Sequence, residues 1–247
     1  MQKWRELGYP AKLYLYLFLF IATMIGLKIV SETRLPGVSK PPYLFLIWNT
    51  FLAWIPAILS IILDALSLIK LKATRMISMI SFGIIWLLFY PNATYLITDM
   101  LHPFVRYPTD TSRFWMEIPF WNHLFILFYV ALLGLILGII SLVSVHLIVE
   151  RLYGKVVGWC FAVIVLGLSS FGVYLGRFLR WNSWDVFHRP LYVLEETLTY
   201  FLNKPNLLHT LAFCKWMFLI TFVSYTLCWL FGKWTGGVGI GKGSKAT

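Results

Sequence analysis

The chain has 247 residues, 60% of them hydrophobic and only 13% charged, with a mean hydropathy of +0.77. Soluble domains carry about 45–50% apolar and about 25% charged residues, so this composition excludes a soluble protein and fits one membrane domain. The net charge of +11 does not indicate a nucleic-acid partner, because the lysines and arginines stand at the ends of apolar runs, where they reach lipid headgroups.

Apolar runs at 11–30, 43–63, 75–92, 123–146, 156–176 and 212–232 predict an all-α, polytopic transmembrane bundle of about six spanning helices in a single domain, 1–235. The first run follows Lys3 and Arg5, as a signal peptide would. It leads into Lys28 and Val30 without a small-x-small cleavage site, so a retained helix is expected. The second contains Asn49 and Pro56 and closes at Asp64. The third is short for a hydrocarbon layer of about 30 Å. Its uncharged stretch continues through Thr98, which predicts a kinked extension or partly re-entrant segment over 91–98.

The fourth run contains Gly134-x-x-x-Gly138, a spacing that lets helices approach closely. Residues 191–202 alternate at helical spacing and predict an amphipathic helix lying in the interface. The tail, 236–247, is rich in glycine and is expected to be a disordered cytoplasmic segment. Cys160, Cys214 and Cys228 all fall inside apolar runs with no C-x-x-C among them, so buried, inert thiols are expected. Eleven of the 21 lysines and arginines fall on the side of both termini, including those in the short tight turns. The positive-inside rule then places both termini in the cytoplasm.

Two polar stretches carry most of the unusual chemistry. One is Tyr90-Pro91-Asn92-Ala93-Thr94-Tyr95-Leu96-Ile97-Thr98-Asp99-Met100-Leu101-His102-Pro103. The other is Gly176-Arg177-Phe178-Leu179-Arg180-Trp181-Asn182-Ser183-Trp184-Asp185-Val186-Phe187-His188-Arg189-Pro190. A pair of spans separates them, so both emerge on one face of the bilayer and can build one site.

The chain resembles the bacterial family of uncharacterised integral membrane proteins known as DUF1361. The resemblance rests on Tyr90-Pro91-Asn92-Ala93-Thr94-Tyr95 with Thr98-Asp99 and His102, and more firmly on Tyr174-Leu175-Gly176-Arg177-Phe178-Leu179-Arg180-Trp181-Asn182-Ser183-Trp184-Asp185. It covers the second to the sixth helix. It implies a multi-pass protein of the bacterial cell membrane and no particular activity.

Each stretch contains Asp-x-x-His, with Asp99 before His102 and Asp185 before His188. Positions i and i+3 share a helix face, so these four are candidate ligands for a divalent metal, with Glu117 and His123 nearby in the same outward region. Solvated loop residues and caps are the favoured reading of the same pattern. Arg177, Arg180 and Arg189 are suited to bidentate phosphate recognition at headgroup level. Trp181 and Trp184 fit an interfacial aromatic belt, and Asn92 and Asn182 add amides.

The function expected is a site for a phosphate-bearing lipid or envelope precursor, with the lipid bilayer as the surrounding partner and no nucleic acid. The alternatives are a membrane hydrolase or transferase using Asp99 and Asp185, or a small transporter or an accessory subunit of one. No G-x-S-x-G surrounds Ser183, and no chain of acidic groups crosses the midplane.

Overall fold

The computed structural model describes residues 4–5, 7–35, 37–107 and 114–239, with side chains as far as 234. Among these, helix is the only regular secondary structure. Ten helices follow in chain order: α1 (Ala11–Glu32), α2 (Phe45–Ser67), α3 (Lys72–Phe89), α4 (Pro91–Tyr95), α5 (His102–Arg106), α6 (Ile118–Tyr153), α7 (Lys155–Tyr174), α8 (Asp185–His188), α9 (Pro190–Leu202) and α10 (Lys204–Gly239). Six helical stretches are long and apolar enough to cross a membrane, the third being the whole of Lys72–Arg106. The chain is an all-α, multi-pass membrane bundle.

The spans outrun the apolar runs that reveal them. Helix α6 has 36 residues, a length of about 54 Å at 1.5 Å per residue. It continues past the hydrocarbon layer until Gly154, at φ +91°, stops it. Helix α10 begins at Lys204, where Pro205 occupies the first turn and its missing N–H costs no hydrogen bond. It is described as far as Gly239, so the expected disordered tail beyond that residue lies outside the described residues, as do Lys3 and Arg113. Residues 190–202 do form a helix, and most of its surface is exposed.

The centre of the bundle is α6, packed against α1, α2, α4 and α7. One apolar core joins Leu19, Leu46 and Ala53 to Ala93, Leu96 and Leu133. A second joins Leu63, Trp86 and Tyr90 to Leu142, Val165 and Tyr225. A buried polar tie crosses between them: Trp86 Nε1–H donates to Ser141 Oγ at 2.8 Å, and Ser141 donates to the Pro56 carbonyl at 2.8 Å. Lipid supplies no hydrogen bonds, so three helices satisfy one another's polar groups.

Toward the end of the bundle that carries α1's N-terminus, Asp64 is 1% exposed and accepts from Lys12 Nζ at 2.7 Å and Tyr9 Oη at 3.1 Å. His146 is fully buried, bonded to the Tyr225 hydroxyl and stacked on Trp229 with ring centroids 4.3 Å apart. Both residues stand near the ends of their apolar runs, and neighbouring helices close over them. The expectation for the cysteines is corrected: Cys160 and Cys228 are exposed on outer helix faces and Cys214 is half-buried. Apolar runs contain lipid-facing as well as core-facing positions, and hydropathy does not separate them.

Candidate functional site

The first polar stretch is not a surface loop. Helix α3 ends at Phe89 and the chain continues through α4, a 3₁₀ turn at Leu96–Leu101 and α5. Pro91 and Pro103 sit at first-turn positions of α4 and α5, where proline bends the path and restarts the helix. Ala93, Thr94, Leu96 and Asp99 are buried.

Close packing of this segment against the middle of α6 depends on Gly134. A Cβ there would lie 2.5 Å from the Ala93 carbonyl oxygen and 2.6 Å from Leu96 Cδ1. Of the Gly-x-x-x-Gly pair expected from the sequence to allow close approach, Gly134 does so, while a Cβ at Gly138 would make only an ordinary contact at 3.4 Å. On the other side, a Cβ at Gly172 of α7 would lie 2.6 Å from Pro91 Cγ, and Thr94 Oγ1 meets Ser169 Oγ of α7 at 3.0 Å.

The second polar stretch begins where α7 loosens into a π-helical turn, Leu175–Leu179. Such turns are uncommon and are frequent at functional sites. The turn ends on Arg180, the one non-glycine residue at positive φ (+61°) among the described residues. The chain then reverses through Asn182 into α8.

The two stretches meet, as the pair of intervening spans predicts. Asn92 Nδ2 donates to Ser183 Oγ at 3.0 Å and to the Phe89 carbonyl at 2.9 Å, and Ser183 donates to the Leu88 carbonyl at 2.9 Å. Arg177 Nη1 stands 3.6 Å from Asp99 Oδ1. Asp99 is 1% exposed, and its other oxygen accepts from Asn49 Nδ2 at 2.9 Å. A buried carboxylate is costly unless paired and hydrogen-bonded, and Asn49 with Arg177 supplies both.

His102 stays with Asp99. Its Nδ1 bonds the Asp99 backbone carbonyl at 2.9 Å and lies 3.7 Å from the carboxylate. Its ring packs on Phe45, which Arg106 covers from another side.

The remaining expected site residues are placed less centrally. Asp185 Oδ2 accepts the Asn182 backbone N–H at 2.7 Å, which makes Asp185 the fastener of its own turn. His188 is exposed and its Nδ1 bonds the Trp184 carbonyl at 2.9 Å. Asp185 and His188 thus engage their own turn while Asp99 and His102 face α2. Among the described residues no three or more His, Cys, Asp or Glu side chains form a group able to hold a metal. Local backbone bonding is what keeps the two pairs apart.

His123 is buried between the Tyr43 and Tyr107 rings, and Glu117 accepts from the Tyr107 hydroxyl, so neither stands with Asp99. Arg180 and Arg189 are exposed, whereas Arg177, with 21% of its side chain exposed, turns inward to Asp99. The π turn and the left-handed Arg180 separate Arg177, which faces Asp99, from the exposed Arg180. Trp184 packs near Trp48, and Trp181 sets its ring against Tyr192.

Between the two stretches lies a cleft of about 380 Å³. Leu52, Leu87, Leu168, Phe171 and Val193 form its apolar walls, and Asn49, Asn92, Tyr95, Trp181, Asn182 and Ser183 its polar lining. Among the described residues no charged side chain lines it. Trp181 Nε1 is buried with no hydrogen-bond partner. Asn49 is the polar lining residue that a reading of the two polar stretches passes over. The available signal for Asn49 was an amide inside an otherwise uncharged span, which is a functional-site indication in itself.

No curated protein and no solved structure matches the chain. A family model does match, over residues 48–232, and that interval contains both polar stretches, the cleft between them, the third to fifth spans and most of the second and sixth. The chain belongs to the family described as protein of unknown function, DUF1361.

Proposed function

We propose that the cleft binds a membrane amphiphile, a lipid or an envelope precursor, with its apolar part against Leu168 and Phe171 and its polar end at Asn92, Trp181 and Asn182. The observation that carries this reading is the lining itself: apolar walls and a convergent group of neutral polar side chains in one cavity. A volume of about 380 Å³ falls within the range of small-molecule sites, about 300–1,000 Å³.

Binding is favoured over catalysis because neither Asp99 nor Asp185 lines the cleft. Each carboxylate is already engaged, Asp99 by Asn49 and Arg177 and Asp185 by Asn182. The exposed Arg180 and Arg189 suit phosphates of the surrounding bilayer. The same reading sets the protein in a cell membrane with both termini cytoplasmic, on the distribution of lysine and arginine.

The test is native mass spectrometry of the purified protein. Leu168 lines the cleft and is partly exposed, so Leu168→Trp adds bulk there without displacing core residues. The expected result is a discrete lipid adduct on the wild type that Leu168→Trp loses while its melting temperature holds. Equal retention by both proteins refutes the proposal.

A further inference from the structure

The amide groups of the cleft carry a direction. Asn49 faces a carboxylate, and only its NH₂ can donate to Asp99 Oδ2. Its Oδ1 is left as an acceptor. Asn92 faces the Phe89 carbonyl and the oxygen of Ser183, whose own proton goes to Leu88. Both contacts need a donor, so the Asn92 NH₂ is fully used. These assignments follow from the partners' chemistry, which resolves the usual ambiguity between amide nitrogen and oxygen. In both residues the uncommitted atom is an amide oxygen, an acceptor. The donors of the lining are the Trp181 Nε1–H, which has no partner among the described residues, the Asn182 amide and the Tyr95 hydroxyl.

From this donor and acceptor pattern we infer that the ligand of the cleft has an uncharged, hydroxyl-bearing head, a sugar or other polyol, on an apolar chain. The inference rests on the amphiphile reading above and narrows it. Hydroxyls donate to the Asn49 and Asn92 oxygens and accept from Trp181, and the Trp181 and Tyr95 rings offer faces for C–H surfaces.

A phosphate carries only acceptors when ionised, so it would leave the Asn49 and Asn92 oxygens unpaired, and among the described residues it would find no cation in the lining. The nearest candidate cation, Arg177, is directed at Asp99. A cationic head fares no better, because among the described residues no carboxylate lines the cleft. The phosphate-bearing lipid expected from the arginines is thereby replaced by a neutral one.

The experiment uses the full chain in nanodiscs doped with one of three lipids sharing the same acyl chains: monoglucosyl diacylglycerol, phosphatidic acid, or diacylglycerol. Native mass spectrometry reads the fraction of protein retaining each. Two or three neutral hydrogen bonds correspond to retention of the glucolipid about tenfold or more above phosphatidic acid. Asn92→Leu, checked for an unchanged melting temperature, should bring the glucolipid down to the diacylglycerol level.

Phosphatidic acid retained as well as or better than the glucolipid overturns the neutral-head assignment and leaves the amphiphile site standing. Retention of none of the three above the bulk lipid, together with no native adduct, overturns both. The wild-type comparison is decisive even if the Asn92 variant fails to fold.

Discussion

Replacing Gly134 by alanine tests the packing that holds the first polar stretch in place. The added methyl carbon would stand 2.5 Å from the Ala93 carbonyl oxygen and 2.6 Å from Leu96 Cδ1, with Leu96 Cβ also at 3.1 Å. Normal contact distances are about 3.5–4.0 Å, so α4 and α6 must separate by about 1 Å. The backbone oxygen cannot rotate away as a side chain would.

Overpacking of this kind costs about 1–3 kcal/mol, and the gain in helix propensity over glycine returns up to about 1 kcal/mol. The clash is with a backbone oxygen, which puts the cost at about 2–3 kcal/mol, so Gly134→Ala should lose about 1–2 kcal/mol net. Four residues on, a Cβ at Gly138 would meet Ala93 Cβ at 3.4 Å, an ordinary contact. Propensity then dominates, and Gly138→Ala should be neutral or gain up to about 1 kcal/mol.

At about 2–4 °C per kcal/mol for a chain of this size, Gly134→Ala should melt about 2–8 °C below the wild type. Fluorescence-detected size exclusion after heating in detergent measures the difference. A Gly134→Ala protein at least as stable as Gly138→Ala refutes the close approach of Ala93 to α6.

Arg177→Met leaves the Asp99 carboxylate buried with only its amide partner and should cost about 3 kcal/mol, while adding Asp99→Asn should restore most of it; purely additive losses in this cycle would contradict the pairing. Tyr225→Phe removes the partner of the fully buried His146 Nδ1 and should cost about 1–3 kcal/mol in a thermal melt, and an unchanged melt would show that the bond contributes nothing. Burial first, and then the charge of Asp64, raise the Tyr9 hydroxyl above its ordinary value. The native state then holds that proton more tightly than the unfolded chain does. The resulting stability is complete below the unfolded value of about 10 and declines as pH rises above it. Tyr9→Phe should flatten part of the alkaline fall in melting temperature, and identical alkaline limbs would rule the contribution out.

The spanning helices were legible because length and hydropathy alone decide whether a segment can cross a bilayer. Their ends were not, since a helix such as α6 runs on past Glu150 and Arg151 until Gly154 interrupts it. The convergence of the two polar stretches followed from counting the spans between them. What each side chain does within them did not follow, because Asp185 and His188 are taken by backbone groups a turn away and no motif shows that competition. Asn49 belongs to the site through a contact 50 residues distant in sequence, and only packing reveals it.

Asn92 finds its Ser183 partner 91 positions later in the chain, and Asp99 finds Arg177 only after two further spans have entered the membrane. During synthesis the first half therefore sits in lipid with polar groups uncovered, and its last turns cannot settle until the second half arrives. A chain halted before Gly176 should accordingly be a target for membrane proteases, which makes late completion of this hydrogen-bond set a checkpoint in biogenesis.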